Sequence, residues 1–265
     1  MKAFFGKKVK VSFLIATAIM LLLASAVYAA STSTPGAKLY WGNGKYYVFN
    51  NTWGSGNAGS GWWQTVYYNN DNDMGWTWDW KTANPGSVKA YPSIVSGWHW
   101  TNGYTAGSGF PARIWDNKSI NASVNYSISA SGSYNTAYDI WMHDTNNAGT
   151  GSRPTDEVMI WLNNTNASPA GSYVETVSLG GSSWNLYKGF IYDSAAQTTG
   201  WNVYSFVRTS NTTSSSLNLR DFINYIVYTK KWMSNAKFIS SVQFGSEIFT
   251  GTGQMHINRY SVNVQ

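Results

Sequence analysis

The chain has 265 residues, no cysteine, and 18 basic against 12 acidic residues. The missing thiols exclude disulfides, zinc–thiolate sites and a cysteine nucleophile. Four of the basic residues, Lys2, Lys7, Lys8 and Lys10, sit at the extreme start; the other 14 nearly balance the acids and form no stripe, so nucleic acid is not an expected partner.

Those four lysines precede an apolar run over 11–27 that ends in small residues. This is the layout of a secretory signal peptide, with Val27 and Ala29 suited to positions three and one before a cut after Ala29. The expectation is a leader over 1–29 and a secreted, extracellular product; an uncleaved anchor is the alternative reading of the same run. A Ser/Thr/Pro/Gly stretch over 30–37 is expected to be a flexible start. The remainder, 38–265, has a length that one all-β domain can fill.

From there the chain is a series of short Tyr-, Trp-, Val-, Ile- and Thr-rich runs separated by Gly, Asn and Asp. Asn43-Gly44 between the runs 39–41 and 46–49 predicts a hairpin. Further strands are predicted at 63–68, 75–80, 91–100, 122–130, 134–143, 155–162, 172–179, 183–192, 200–207, 237–248 and 255–264. Their number and spacing predict a sandwich of two antiparallel sheets. One segment differs: over 218–231, Leu219, Phe222 and Ile226 recur with helical spacing, and Asn218 and Asp221 suit a helix start. A packing helix is expected there. Asn-x-Ser/Thr sequons begin at Asn50, Asn117, Asn121, Asn125, Asn163, Asn166 and Asn211.

The composition points to sugar. There are 15 Trp and 18 Tyr, while only 11% of residues are charged. Most of these rings must build the core, and a few are expected to face a ligand, since flat rings suit the apolar face of a pyranose. Cutting a glycosidic bond takes two carboxyl groups, one to protonate the leaving oxygen and one to attack or to activate water. The chain has three glutamates, Glu157, Glu175 and Glu247. On a strand, Glu157, Met159 and Trp161 share a face, and Val158, Ile160 and Leu162 share the other, wholly apolar one. The apolar face belongs between the sheets, so Glu157 stands on the opposite side. Glu247 shares a face with Gln243, Gly245 and Phe249, and Gly245 would leave room for a ligand; by itself this pattern equally fits an exposed glutamate. Glu175 reads as a solvent-facing strand residue, and Asp156, turned like Val158, as a strand-edge residue. Asp139 shares a face with Trp141 and His143 and could meet Glu157 if their strands are neighbours. His99, His143 and His256 show no metal spacing, so no metal and no cofactor are expected.

These segments resemble glycoside hydrolase family 12, small endoglucanases with a jelly-roll fold. Asn50-Asn51-Thr52-Trp53-Gly54, Tyr91-Pro92-Ser93-Ile94, Tyr138-Asp139-Ile140-Trp141, Glu157-Val158-Met159-Ile160-Trp161 and Gly245-Ser246-Glu247-Ile248-Phe249-Thr250-Gly251 are similar to that family's motifs, in order. Ile248 departs from a usual proline, Pro169-Ala170-Gly171 departs from a Pro-Ile-Gly turn, and the family's usual disulfide is absent. The resemblance implies an all-β jelly-roll sandwich with an open substrate cleft, and a retaining endo-β-1,4-glucanase acting as a monomer on a β-glucan polysaccharide. It implies Glu157 as nucleophile, Glu247 as acid/base and Asp139 as the nucleophile's partner. Asn51 and Trp53 would bind glucose on the non-reducing side, with Met159 and Trp161 on the cleft floor; Trp141 and His143 are further candidate substrate contacts. A xylanase or xyloglucanase on the same fold, and a non-catalytic carbohydrate-binding sandwich, are the competing readings.

Overall fold

The computed structural model describes residues 29–192 and 199–265; most of the expected leader lies outside them. The described chain folds as a β-sandwich of jelly-roll type. The first sheet has the order β1 (Ala30–Thr32), β4 (Trp63–Asn70), β5 (Asp73–Trp80), β16 (Ile248–Val264), β8 (Ile120–Ala130) and β14 (Ser214–Asn218). The second runs β2 (Lys38–Trp41), β3 (Tyr46–Phe49), β6 (Ser93–Gly97), β15 (Phe238–Gly245), β9 (Ser133–His143), β10 (Asp156–Thr165), β13 (Gly200–Arg208), β12 (Ser182–Tyr192) and β11 (Ser172–Leu179). The two-residue β7 (Ala112–Arg113) also pairs with β15. β16 belongs to both sheets: Ile248 and Thr250 pair with β9 before the strand crosses to β5 and β8.

Period-two alternation builds the layer between the sheets. Met74, Trp76, Trp78 and Trp80 of β5 are buried in the same core as Val158, Ile160 and Leu162 of β10 and Tyr138, Ile140 and Met142 of β9. Each such side chain contributes about 1.5–3 kcal/mol on burial, which lets a cysteine-free chain hold two large sheets together. The opposite face of β9, β10 and β13 carries a separate apolar cluster of Ala137, Met159, Trp161, Val203 and Val207.

The structure departs from expectation in four places. Residues 30–32 are a paired strand rather than a loose start, because Ala30–Thr32 add an edge to β4. The sheets are not wholly antiparallel: β10 and β13 run parallel, Glu157 opposite Val203. The predicted strand over 91–100 shrinks to Ser93–Gly97. The helix is short: α1 (Arg220–Asn224) passes directly into a wide π turn (Tyr225–Thr229), and its buried face is Phe222, Ile223, Ile226 and Val227. Asn218 ends β14 rather than capping; its Oδ1 accepts from Ile120 N at 3.0 Å and from Arg220 N at 3.3 Å, tying strand to helix. The first sequon is closed to modification, since Asn50 is fully buried and its Nδ2 donates to Thr34 O at 3.0 Å.

Candidate active site on the outer face of the larger sheet

Antiparallel register assembles the carboxyl groups. Across β9 and β10, Glu157 lies opposite Trp141 and Met159 opposite Asp139, so the two acids are diagonal neighbours on the outer face. On the other side of β9, Asp139 lies opposite Gln243 and Ala137 opposite Gly245. Glu247 follows two residues after β15 ends, where the chain turns into β16. Three segments distant in sequence thus deliver three carboxyls to one patch.

Glu157 is 7% and Asp139 4% exposed. Trp201 Nε1 donates to Glu157 Oε2 at 2.6 Å, and the Asp139 carboxyl is hydrogen-bonded to that of Glu157. Two ionised carboxylates are both acceptors, so the bond requires a proton between them. Burial first, then the charge of Glu157, pushes Asp139 far above the usual carboxylate range, so Asp139 carries that proton. Burial raises Glu157 to about 7, against the donors Trp201 and Asp139, which favour its ionised form. Burial and the negative charge of Glu157 raise Glu247 to about 7 as well, opposed by the amide of Asn135.

Asn135 clamps Glu247 at three points. Its Nδ2 donates to Glu247 Oε2. Its Oδ1 accepts from Glu247 N at 3.2 Å, and its own N–H donates to Glu247 O at 3.0 Å. Tyr91 lies within electrostatic reach of all three acids; its hydroxyl donates to Ala137 O at 3.2 Å, and burial holds its proton firmly.

The remaining candidates fall into groups. Met159, Trp161 and Trp141 lie on the outer face, nearly covered. Asn51 is buried, its backbone O accepting from Tyr91 N at 3.0 Å and its Oδ1 from Trp53 N at 3.2 Å, while the Trp53 ring is 67% exposed. His143 does not line an open surface: it is 1% exposed under Trp98, its Nδ1 bonded to Ser240 Oγ at 2.7 Å, and burial lowers it to about 4. It supports the Trp98 side of the site.

Two readings of single residues change. Gly245 does not make room for a ligand. A Cβ there would stand 2.5 Å from Pro92 O and 2.8 Å from the Tyr91 ring, so the space is filled by the segment that seats Tyr91. Asp156 does stand at the edge of its strand, as the first residue of β10, but it is buried there and paired with Lys237 at 2.5 Å, with Asn202 Nδ2 donating at 3.2 Å. Glu175 behaves as expected, at the surface with Lys230 at 2.8 Å. The strand pattern missed Trp201 and Asn135. Asn135 was within reach, since alternation along β9 puts it on the Asp139 face; Trp201 was not, because nothing local predicts a parallel neighbour for β10.

Comparison with known proteins agrees with this architecture. Endoglucanase S of Pectobacterium parmentieri is 57% identical over 246 residues, covering 93% of this chain and 92% of that protein. A xyloglucan-specific endo-β-1,4-glucanase A of Emericella nidulans is 34% identical over 83% of this chain and 86% of its own length. The solved structure of a native family 12 xyloglucanase from Bacillus licheniformis superimposes with a TM-score of 0.86 at 62% identity, covering 89% of this chain and all of that one. The model of glycosyl hydrolase family 12 matches residues 44–265, and the chain belongs to that family.

Proposed function

We propose that this family 12 endo-β-1,4-glucanase cleaves by double displacement, with Glu157 as nucleophile and Glu247 as acid/base. One observation carries the assignment: Glu157 on β10 and Glu247 in the turn between β15 and β16 lie within electrostatic reach of each other, and burial together with the charge of Glu157 keeps the proton on Glu247. Glu157 has two donors that favour its anion, and Glu247 has a neighbouring anion that favours its acid. That asymmetry is what the first step demands.

In the first step Glu157 attacks the anomeric carbon while Glu247 protonates the departing glycosidic oxygen. A glycosyl ester forms on Glu157, and its negative charge disappears. The push on Glu247 then ends, its acidity rises, and as a carboxylate it takes a proton from the water that releases the sugar. Asp139, protonated against Glu157, orients the attacking carboxylate. Asn51 and Trp53 support sugar binding on the non-reducing side, Trp53 through its exposed ring. Met159, Trp161 and Trp141 form the floor.

The test is replacement of the nucleophile. Glu157→Ala should be inactive on soluble glucan, and azide should restore turnover of an activated aryl glycoside, yielding a glycosyl azide of inverted anomeric configuration. Near-normal hydrolysis by the variant would remove Glu157 from the mechanism. Among β-1,4-glucans, the 62% identity to a Bacillus xyloglucanase favours a xyloglucan backbone alongside linear glucan. Parallel assays on xyloglucan, carboxymethyl cellulose and xylan rank them. The basic start and apolar run before residue 30 support export of the enzyme to its polymeric substrate.

A further inference from the structure

Burial lifts both glutamates to the same region, yet the reaction needs one of them ionised and the other protonated. Something must separate them, and hold the anion still. Among the described residues, the side chains that act on Glu157 are few. Asp139 on β9 supplies one hydrogen bond. Glu247, beyond β15, repels. Tyr91 keeps its proton and donates to Ala137 O. His143 is neutral and turned to Ser240. Two cations near the ends of the adjoining strands are engaged with other partners, Lys237 with Asp156 and Arg153 with Thr199. Among the described residues the remaining hydrogen-bond partner is Trp201, the second residue of β13, whose indole N–H meets Glu157 Oε2 at 2.6 Å.

This ring is not a loose surface residue. The parallel register of β10 and β13 puts Val203 opposite Glu157, and Trp201 lies two residues before Val203 and so on the same face of the sheet. Its face is braced edge-on by Trp141, centroids 5.4 Å apart at 72°. Trp141 is braced in turn by Trp100 at 5.2 Å and 77°, and Trp100 by Trp98 at 4.7 Å. Trp100 sits at a φ of 46°, a left-handed backbone that a bulky residue seldom adopts. The aromatic wall therefore fixes the direction of the N–H, and a short bond from a neutral donor to an anion in a water-poor site is of the strong kind.

We infer that Trp201 is a positioning residue: its indole N–H holds Oε2 of Glu157, fixing the orientation and the ionised form of the nucleophile before substrate arrives. The inference rests on Glu157 being the nucleophile. An N–H that stabilises an anion favours the ionised acid, so losing it makes Glu157 harder to ionise. The acid limb of the rate profile must then move to higher pH.

The experiment compares the parent with Trp201→Phe and Trp201→His on a dinitrophenyl cello-oligosaccharide. That leaving group needs no proton, so the rate reports the nucleophile rather than Glu247. For Trp201→Phe the expected result is an acid limb of kcat/KM shifted upward by about one pH unit, kcat down about tenfold or more, and KM within about twofold. Trp201→His, which restores a ring N–H, should recover part of both. Trp201→Leu replaces the Phe variant if that one does not fold. An acid limb unchanged from the parent, or a loss confined to KM, overturns the inference. Glu157→Gln is run beside them: activity in that variant refutes the nucleophile itself. An inactive Glu157→Gln with a parent-like Trp201→Phe refutes only the role of Trp201.

Discussion

Replacing Glu157 by Gln should make the protein more stable, and only above a certain pH. The carboxyl is 7% exposed, and burial raises it from an ordinary 4.5 to about 7 in the folded state. A raised acid favours the protonated form when folded. Its cost is therefore absent below pH 4.5, grows as pH rises towards 7, and levels off above. The gap corresponds to roughly 3 kcal/mol at 1.36 kcal/mol per unit. Glutamine keeps the shape and can still accept from Trp201 and Asp139, but it cannot ionise. It also removes the charge that raises Glu247. For a chain of this size, 1 kcal/mol moves Tm by about 2–4 °C, so the full effect is roughly 6–12 °C, and water entering the open face reduces it. Calorimetry of parent and variant at pH 4 and pH 8 measures it: no difference at pH 4, a higher Tm for the variant at pH 8, and no turnover at either. A Tm gap of equal size at both values would refute the reasoning, because a packing effect of the amide would not depend on pH.

Two further substitutions probe the supports of the site. Asn135→Ala removes the amide that donates to Glu247. Losing a donor to the anion raises Glu247 further, so the basic limb of kcat/KM should move up by about one pH unit while kcat falls about tenfold; a pH–rate series reads both. Lys237→Met leaves the buried Asp156 carboxyl without its cation at 2.5 Å, and urea unfolding at pH 7 should show a loss of about 3–5 kcal/mol, the range for breaking one side of a buried pair.

The contrast between what the sequence carried and what it hid follows from the physics of strands. Alternation is a local property, so the faces of β9 and β10 could be read directly: Val158, Ile160 and Leu162 went to the core, and Glu157, Met159 and Trp161 to the outer face. Register is not local. The diagonal meeting of Asp139 with Glu157 depends on which residues of β9 and β10 pair, and the bond from Trp201 depends on a parallel neighbour reached through a long crossover. Burial was misjudged where a partner was invisible. The buried pairing of Asp156 at the start of β10 was hidden because Lys237 lies far along the chain, and Gly245 looked like an opening because the Tyr91–Pro92 segment that fills it comes from elsewhere. The helix was foreseen by its apolar spacing, but not its widening into a π turn: the Lys230 N–H reaches back five residues to Tyr225 O at 2.9 Å, which apolar periodicity does not encode.

The same face that does the chemistry is where the fold carries its least favourable electrostatics. Asp139, Glu157 and Glu247 are three acids in a patch with no cation among their immediate partners in the described residues, and each is raised by burial. A structure selected for stability alone would place apolar residues there, as it does on the other face of the same strands. The neutral donors that surround the acids, Trp201 on Glu157 and Asn135 on Glu247, explain how the arrangement remains tolerable. A lysine or arginine would stabilise the anions more strongly, but it would hold both glutamates ionised and leave no acid for the leaving oxygen. Indole and amide donors favour an anion only moderately, so they suit the proposed roles: they can steady Glu157 as the nucleophile while leaving Glu247 able to change protonation between the two halves of the proposed reaction.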